Sequence, residues 1–340
     1  MSTLPPDSVP VPAATPAPAA TATAAMDRLL GAMVKMKASD LHLSAGCVPQ
    51  VRHDGEMKPV PGAPVLQAGD TERLLLSIAP PRAREEFQRR HDADFAYEIP
   101  EVGRFRGNLF VDRKGPGGVF RIIPTKILTA EELGLSPEVL DLCRLPKGLV
   151  LVTGPTGSGK STTLSALIDY INRNRADHII TIEDPLEFIH ENQQCLVNQR
   201  QVGDHTDSFK DALRAALRED PDIMLVGELR DLETMAMAIE TAETGHLVFG
   251  TLHTSPAHGT IDRIINQFPT EKQQQIRLML ADGLKGVISQ MLCKKIGGGR
   301  VPAMEIMVAS PSISNRIREG KTFQIPSIMQ SGKKLGMCLM

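Results

Sequence analysis

The chain has 340 residues, a formal net charge of −2, 41% hydrophobic and 4% aromatic residues, and no tryptophan. That length accommodates two domains with separate aliphatic cores, and the charge balance gives no overall basic excess of the kind that draws a protein to nucleic acid or an anionic membrane. The isolated cysteines Cys47, Cys143, Cys195, Cys293 and Cys338 show no metal-ligand spacing and suit a reducing cytoplasm; no apolar stretch reaches the length of a membrane span, and no basic-then-apolar leader stands at the N-terminus.

Residues 1–25 are almost all Pro, Ala, Thr, Ser and Val, too little to offset ordering entropy, and read as a disordered tail. From Met26 to Lys37 the spacing of Leu29, Leu30, Met33, Val34 and Met36 predicts an amphipathic helix. Short alternating runs follow at Asp40–Ser44, Val51–Asp54, Asp94–Ile99, Arg104–Val111 and Val119–Ile123, with one helical stretch at Thr71–Arg90. Residues 26–124 therefore read as a small α+β domain with a mostly antiparallel sheet, and residues 125–147 as a linker.

Residues 148–340 change character. The strand candidates Leu149–Thr153, His178–Ile182, Ile223–Val226 and Leu247–Leu252 alternate with helices. Ser208 with Asp211 marks one helix start, and the helix over Asp231–Thr244 begins on an Asp cap and stops at Gly245. Parallel strands joined by helices imply an α/β core of RecA type.

After the first of these strands stands Gly154-Pro155-Thr156-Gly157-Ser158-Gly159-Lys160-Ser161-Thr162, which contains the G-x-x-x-x-G-K-[ST] pattern of a phosphate-binding loop. Its glycines let backbone N–H groups face inward, and the helix beginning near Lys160 adds the positive end of its dipole. Lys160 would reach the β- and γ-phosphates of ATP, and the Ser161 hydroxyl would ligate Mg²⁺. In parallel sheets ligands bind at the carboxyl ends of strands, which draws attention to Glu183-Asp184, Gly227-Glu228 and His253. Glu228 is the first candidate for orienting the attacking water, Glu183 and Asp184 for the magnesium shell, and His253 for sensing the γ-phosphate; His246 has the weakest case. Arg104, Arg106, Arg113 and Arg121 cluster in the N-terminal sheet, where a solvated strand face and a set of arginine fingers are both open readings.

The combined motifs resemble the type II/IV secretion ATPase superfamily. Gly154–Thr162 is similar to its Walker A segment, Ile180–His190 to its Asp box, Glu219–Asp231 to Walker B and Gly245–Thr254 to its His box. Lys37–Leu43 and Ile313–Gln330, with Arg316–Lys321 and Gln324–Ile328, are similar to the type IV pilus retraction ATPase branch, the PilT family. The resemblance implies a homohexamer of subunits, each with a PAS-like N-terminal domain and a RecA-like P-loop ATPase domain, with ATP between them. It implies that Glu183, Asp184 and Glu228 form the acid set and that Arg104, Arg106 and Arg121 reach the triphosphate. It implies work on an inner-membrane platform protein at the cytoplasmic base of a pilus, with a paralogous retraction ATPase as a further partner and no insertion into the membrane. Gly107 departs from the branch, which has a β-branched residue there, and leads us to expect a looser strand. Family members continue through further helices where this chain reaches Met340, so the ATPase domain reads as cut short. Competing readings are a pilus assembly or type II secretion motor, a regulatory nucleotide-binding subunit and a DNA motor.

Overall fold

The computed structural model describes residues 18–123, 126–296 and 299–340, and the chain divides into two units between Ile123 and Pro124. In the first unit, α1 (Pro18–Lys35) leads into β1 (Asp40–Ser44), β2 (Gln50–His53) and β3 (Glu56–Pro59); α2 (Ala68–Ile78) and α3 (Pro81–Arg90) precede β4 (Asp92–Ile99), β5 (Gly103–Asp112) and β6 (Gly115–Ile123). The strands form one sheet in the order β3-β2-β1-β6-β5-β4, and every pairing is antiparallel. Side chains alternate across a strand, so Phe105 and Leu109 of β5 enter the core with Met26, Leu30, Leu41, Leu75 and Phe120, while Arg104 and Arg106 take the other face. Arg121 on β6 lies directly opposite Arg106, so the three candidate fingers share that face.

Three features differ from the sequence reading. Helix α1 starts at Pro18, inside the stretch read as a tail; Ala22 is buried and the Thr23 hydroxyl donates to the Ser77 carbonyl at 3.3 Å, contacts with α2 that composition does not reveal. Residues 1–17 lie outside the described residues. The single helical stretch Thr71–Arg90 is two helices, because Pro80 and Pro81 remove successive donors and restrict the residue before them. Strand β5 runs unbroken through Gly107, contrary to the looser strand expected. A Cβ at Gly107 would stand 2.7 Å from a Phe120 ring carbon and 3.2 Å from one of Phe95; the glycine makes room for that edge-to-face ring pair, whose centroids are 6.2 Å apart.

The second unit has α4 (Pro137–Leu142), β7 (Gly148–Thr153), α5 (Lys160–Asn174), β8 (His178–Glu183), β9 (Leu196–Gln201), α6 (Phe209–Ala216), β10 (Ile223–Val226), α7 (Leu232–Glu243) and β11 (Leu247–Leu252). Then come α8 (Ala257–Gln267), α9 (Thr270–Gly283), β12 (Leu284–Lys294), β13 (Arg300–Val308), α10 (Pro311–Arg318) and α11 (Ile325–Ser331). The sheet order is β13-β12-β7-β11-β10-β8-β9, parallel throughout except for the antiparallel edge strand β13. One face packs Leu149, Leu151, Ile180, Ile182, Met224 and Val226 against α6 to α11. The opposite face packs Val150, Val152, Ile179, Leu225 and Phe249 against α4 and α5. Burial on both faces is why β7 and β11 are apolar without alternation. The stretch read as a linker contributes α4 and buries Ala130, Leu135, Val139, Leu142 and Cys143 in this second core, so it is a layer of the unit; its apolar residues are the signal that the linker reading passed over. This doubly covered parallel sheet puts the carboxyl ends of β7, β8, β10 and β11 side by side.

Candidate nucleotide site

Strand β7 ends at Thr153 and the chain turns through Gly154–Gly159 into α5. Gly154, Gly157 and Gly159 take φ of 140°, 77° and 88°, a region that side chains resist. Pro155, Thr156 and Gly157 are exposed, whereas Ser158 and Lys160 are buried. Gly159 is the N-cap of α5 and supplies no side-chain cap, so the first N–H groups of the helix are open to an anion. The Lys160 ammonium donates to the carbonyls of Gly154 at 2.9 Å and Pro155 at 3.1 Å. Burial lowers the Lys160 pKa, with the carboxylates of Glu228 and Glu187 opposing.

The ends of β11 and β10 meet at that lysine. His253, just past β11, places Nδ1 3.4 Å from the Lys160 ammonium and Nε2 3.0 Å from Glu228 Oε1. An ammonium only donates, so Nδ1 accepts and Nε2 carries the proton toward Glu228. The other Glu228 oxygen is 2.7 Å from Arg230 Nη2. Burial acts to raise the Glu228 carboxyl, but Arg230 and His253 outweigh it and hold the pKa below the ordinary value. Lys160, His253, Glu228 and Arg230 thus form one continuous polar chain.

Glu183, at the end of β8, behaves in the opposite way. Burial pushes its pKa up to about 7, against hydrogen bonds donated by Thr181 at 2.7 Å and Gln199 at 3.3 Å. It shares the lining of a cavity of about 40 Å³ with Ser161, Ser165, His190, Gly227 and Thr251. Gly227 permits this proximity of β8 and β10, since a Cβ there would meet the Ile182 carbonyl at 3.2 Å. Asp184 is exposed beside Glu183, joined to Pro185 by a cis peptide, and its charge is felt by Arg230.

His246 stands at the opposite end of β11, with its ring nitrogen on the Thr241 carbonyl at 3.2 Å, and is not part of this group. Arg104 is half-buried in the first unit; Arg106 and Arg121 are exposed there, Arg121 at 2.8 Å from Asp40 and Arg106 at 4.0 Å from Asp94. Sequence reasoning missed Glu187, Arg230 and Gln290. Glu187 and Arg230 were within reach, being a few residues past Glu183 and Glu228. Gln290 had no local signal, because it meets the loop only through the pairing of β12 with β7.

The residues fit a nucleoside triphosphate with magnesium. Three positive-φ glycines, an uncapped helix start and a lysine held by two loop carbonyls and the His253 ring make a cradle for phosphate oxygens. Among the described residues no group of three or more His, Cys, Asp or Glu side chains is arranged to hold a metal ion.

The chain is similar to known proteins over most of its length. Residues 20–304 match the family described as Type II/IV secretion system protein. A Pseudomonas aeruginosa protein named Type IV pilus retractation ATPase PilT is 53% identical over 309 residues, covering 91% of this chain and 90% of the relative. A Neisseria gonorrhoeae protein named Twitching motility protein is 48% identical over 294 residues, 86% of this chain and 78% of the relative. The crystal structure of the pilus retraction motor PilT with bound ADP superposes with a TM-score of 0.86 at 49% identity, covering 90% of this chain and 89% of that one.

Proposed function

This chain belongs to the Type II/IV secretion system protein family, in the branch of the pilus retraction ATPases, and we infer that it hydrolyses ATP to withdraw type IV pili and so drives twitching motility. The observation that carries this reading is the 53% identity to a retraction ATPase along nine-tenths of both chains.

The side chains divide the chemistry as follows. Lys160 leaves the loop carbonyls for the β- and γ-phosphates, and the N–H groups from Gly157 to Ser161 take the β-phosphate oxygens. The Ser161 hydroxyl would hold Mg²⁺ with help from Asp184, and the ion would supply positive charge against the phosphates. Glu228, kept ionised by Arg230 and His253, orients the attacking water. Glu183, with a pKa of about 7, accepts the proton that this water loses. His253 registers the departure of Lys160 through Nδ1 and relays it to Glu228 through Nε2. Arg104, Arg106 and Arg121 add positive charge to the triphosphate in the assembled ring.

The working unit in this reading is a homohexamer on the cytoplasmic side of the inner membrane, acting on the pilus platform protein, with a paralogous ATPase as a second partner. No helix among the described residues is long and apolar enough to cross a membrane. Complementation of a deletion strain tests the function. The native gene should restore twitching and the Lys160→Ala allele should leave piliated, non-twitching cells. Bald cells would assign the protein to pilus assembly or secretion instead.

A further inference from the structure

We propose that Gln290, on β12, is a positioning residue for the nucleotide site: its carboxamide braces the Ser158 carbonyl, and its backbone walls the first turn of the phosphate loop. Gln290 is 1% exposed, and its Nε2 donates to the Ser158 carbonyl at 2.7 Å. The parallel pairing of Ser289 with Thr153 brings Gln290 alongside Gly154. A Cβ on Gly154 would stand 2.2 Å from the Gln290 carbonyl oxygen, and one on Gly159 would stand 3.1 Å from Nε2. Both ends of the loop therefore press on one residue that lies 132 positions away in the chain.

The orientation of the carboxamide follows from chemistry, since a carbonyl can only accept and so must face the NH₂ group. Gln290 Oε1 and Ser158 Oγ are buried without hydrogen-bond partners among the described residues, so the bond from Nε2 to the Ser158 backbone carbonyl is what ties the two residues together. The same strand reaches the His253 loop. Ser289 Oγ is 3.4 Å from Ser255 Oγ, and Glu305, which pairs with Ser289 across β12 and β13, accepts from the Ala257 amide at 2.9 Å. One strand thus indexes the phosphate loop against the loop that carries His253, and Gln290 is the contact on the phosphate side.

This inference rests on the reading of Gly154–Ser161 as the nucleotide site, and the experiment separates the two. Fluorescent ADP binding and steady-state ATP hydrolysis are measured on the full purified chain carrying Gln290→Met, which keeps the length of the side chain and loses its donor. Leaving a buried carbonyl unpaired should raise the Kd for ADP and the KM for ATP roughly tenfold, with a smaller fall in kcat. A residue that only supports the fold would lower the melting temperature and leave Kd unchanged. Wild-type Kd and KM in a folded Gln290→Met protein overturn the proposal. Lys160→Ala serves as the reference: if it binds ADP as tightly as the native chain, the nucleotide-site reading has failed, whereas lost binding there beside unchanged binding in Gln290→Met overturns Gln290 alone. Hydrogen exchange on the native protein tests the brace if Gln290→Met does not fold. ADP should slow exchange at residues 286–292 as well as at 154–161, and protection confined to the loop contradicts it.

Discussion

Glu183 and Glu228 are two carboxyls at neighbouring strand ends whose surroundings push them apart, one up to about 7 and the other below its ordinary value. On the proposed mechanism that split makes Glu183 the proton acceptor and Glu228 the group that orients the water. Native turnover should rise as pH increases through about 7, and Glu183→Gln should lower kcat and remove that rise; an unchanged pH profile would reassign the proton to another group. Glu228→Gln should bind ATP and turn it over at least tenfold more slowly. Native Glu183 keeps its proton up to about 7, whereas an unfolded chain releases it near 4.5. Its contribution to stability therefore falls as pH rises across that window. His190 has the opposite sign. Burial holds it neutral down to about 4 from an ordinary 6.5, so the unfolded chain gains a proton first and stability drops as pH falls between those values. His190→Gln should flatten that slope in urea midpoints taken from pH 6.5 to 4; an unaltered slope would place the acid sensitivity elsewhere.

The phosphate loop and the strand ends were legible because their signals are local: a glycine pattern after an apolar run, an acid just past each buried strand. The caps were legible for the same reason. Ser208 accepts from the Asp211 amide at 3.1 Å and Asp231 from the Thr234 amide at 2.7 Å, where the sequence placed them. Strands β9, β12 and β13 were not legible, since each is defined by its neighbour in the sheet more than by its own residues; four of the six residues of Leu196–Gln201 are polar. Gly107 shows how a local rule misleads. Glycine weakens a strand in general, yet here it accommodates Phe95 and Phe120. Gly107→Val should therefore destabilise the protein by about 1–3 kcal/mol through overpacking, read as a lowered melting temperature of the first unit. A neutral or stabilising result would mean that the rings can move aside.

The two units carry different parts of the account. The second holds the phosphate loop, the acids and His253 within one sheet, where the relation of each to the others is fixed by strand register. The first presents Arg104, Arg106 and Arg121 on one face of an antiparallel sheet. Arg121 there is engaged with Asp40, whose carboxyl burial acts to raise but Ser39 and Arg121 hold below its ordinary value. Assembly into a ring is what the motor reading requires of those arginines, so replacing Arg106, which is exposed, with Ala should reduce ATP turnover in the assembled protein at least tenfold while leaving ADP affinity within about threefold. Equal turnover would return that face to the role of a solvated surface. The most direct measurement is live imaging of fluorescently labelled pili in cells whose only copy carries Lys160→Ala. A retraction motor disabled at Lys160 should leave pili that extend at the native rate and do not withdraw. Withdrawal at the native frequency and speed would contradict it.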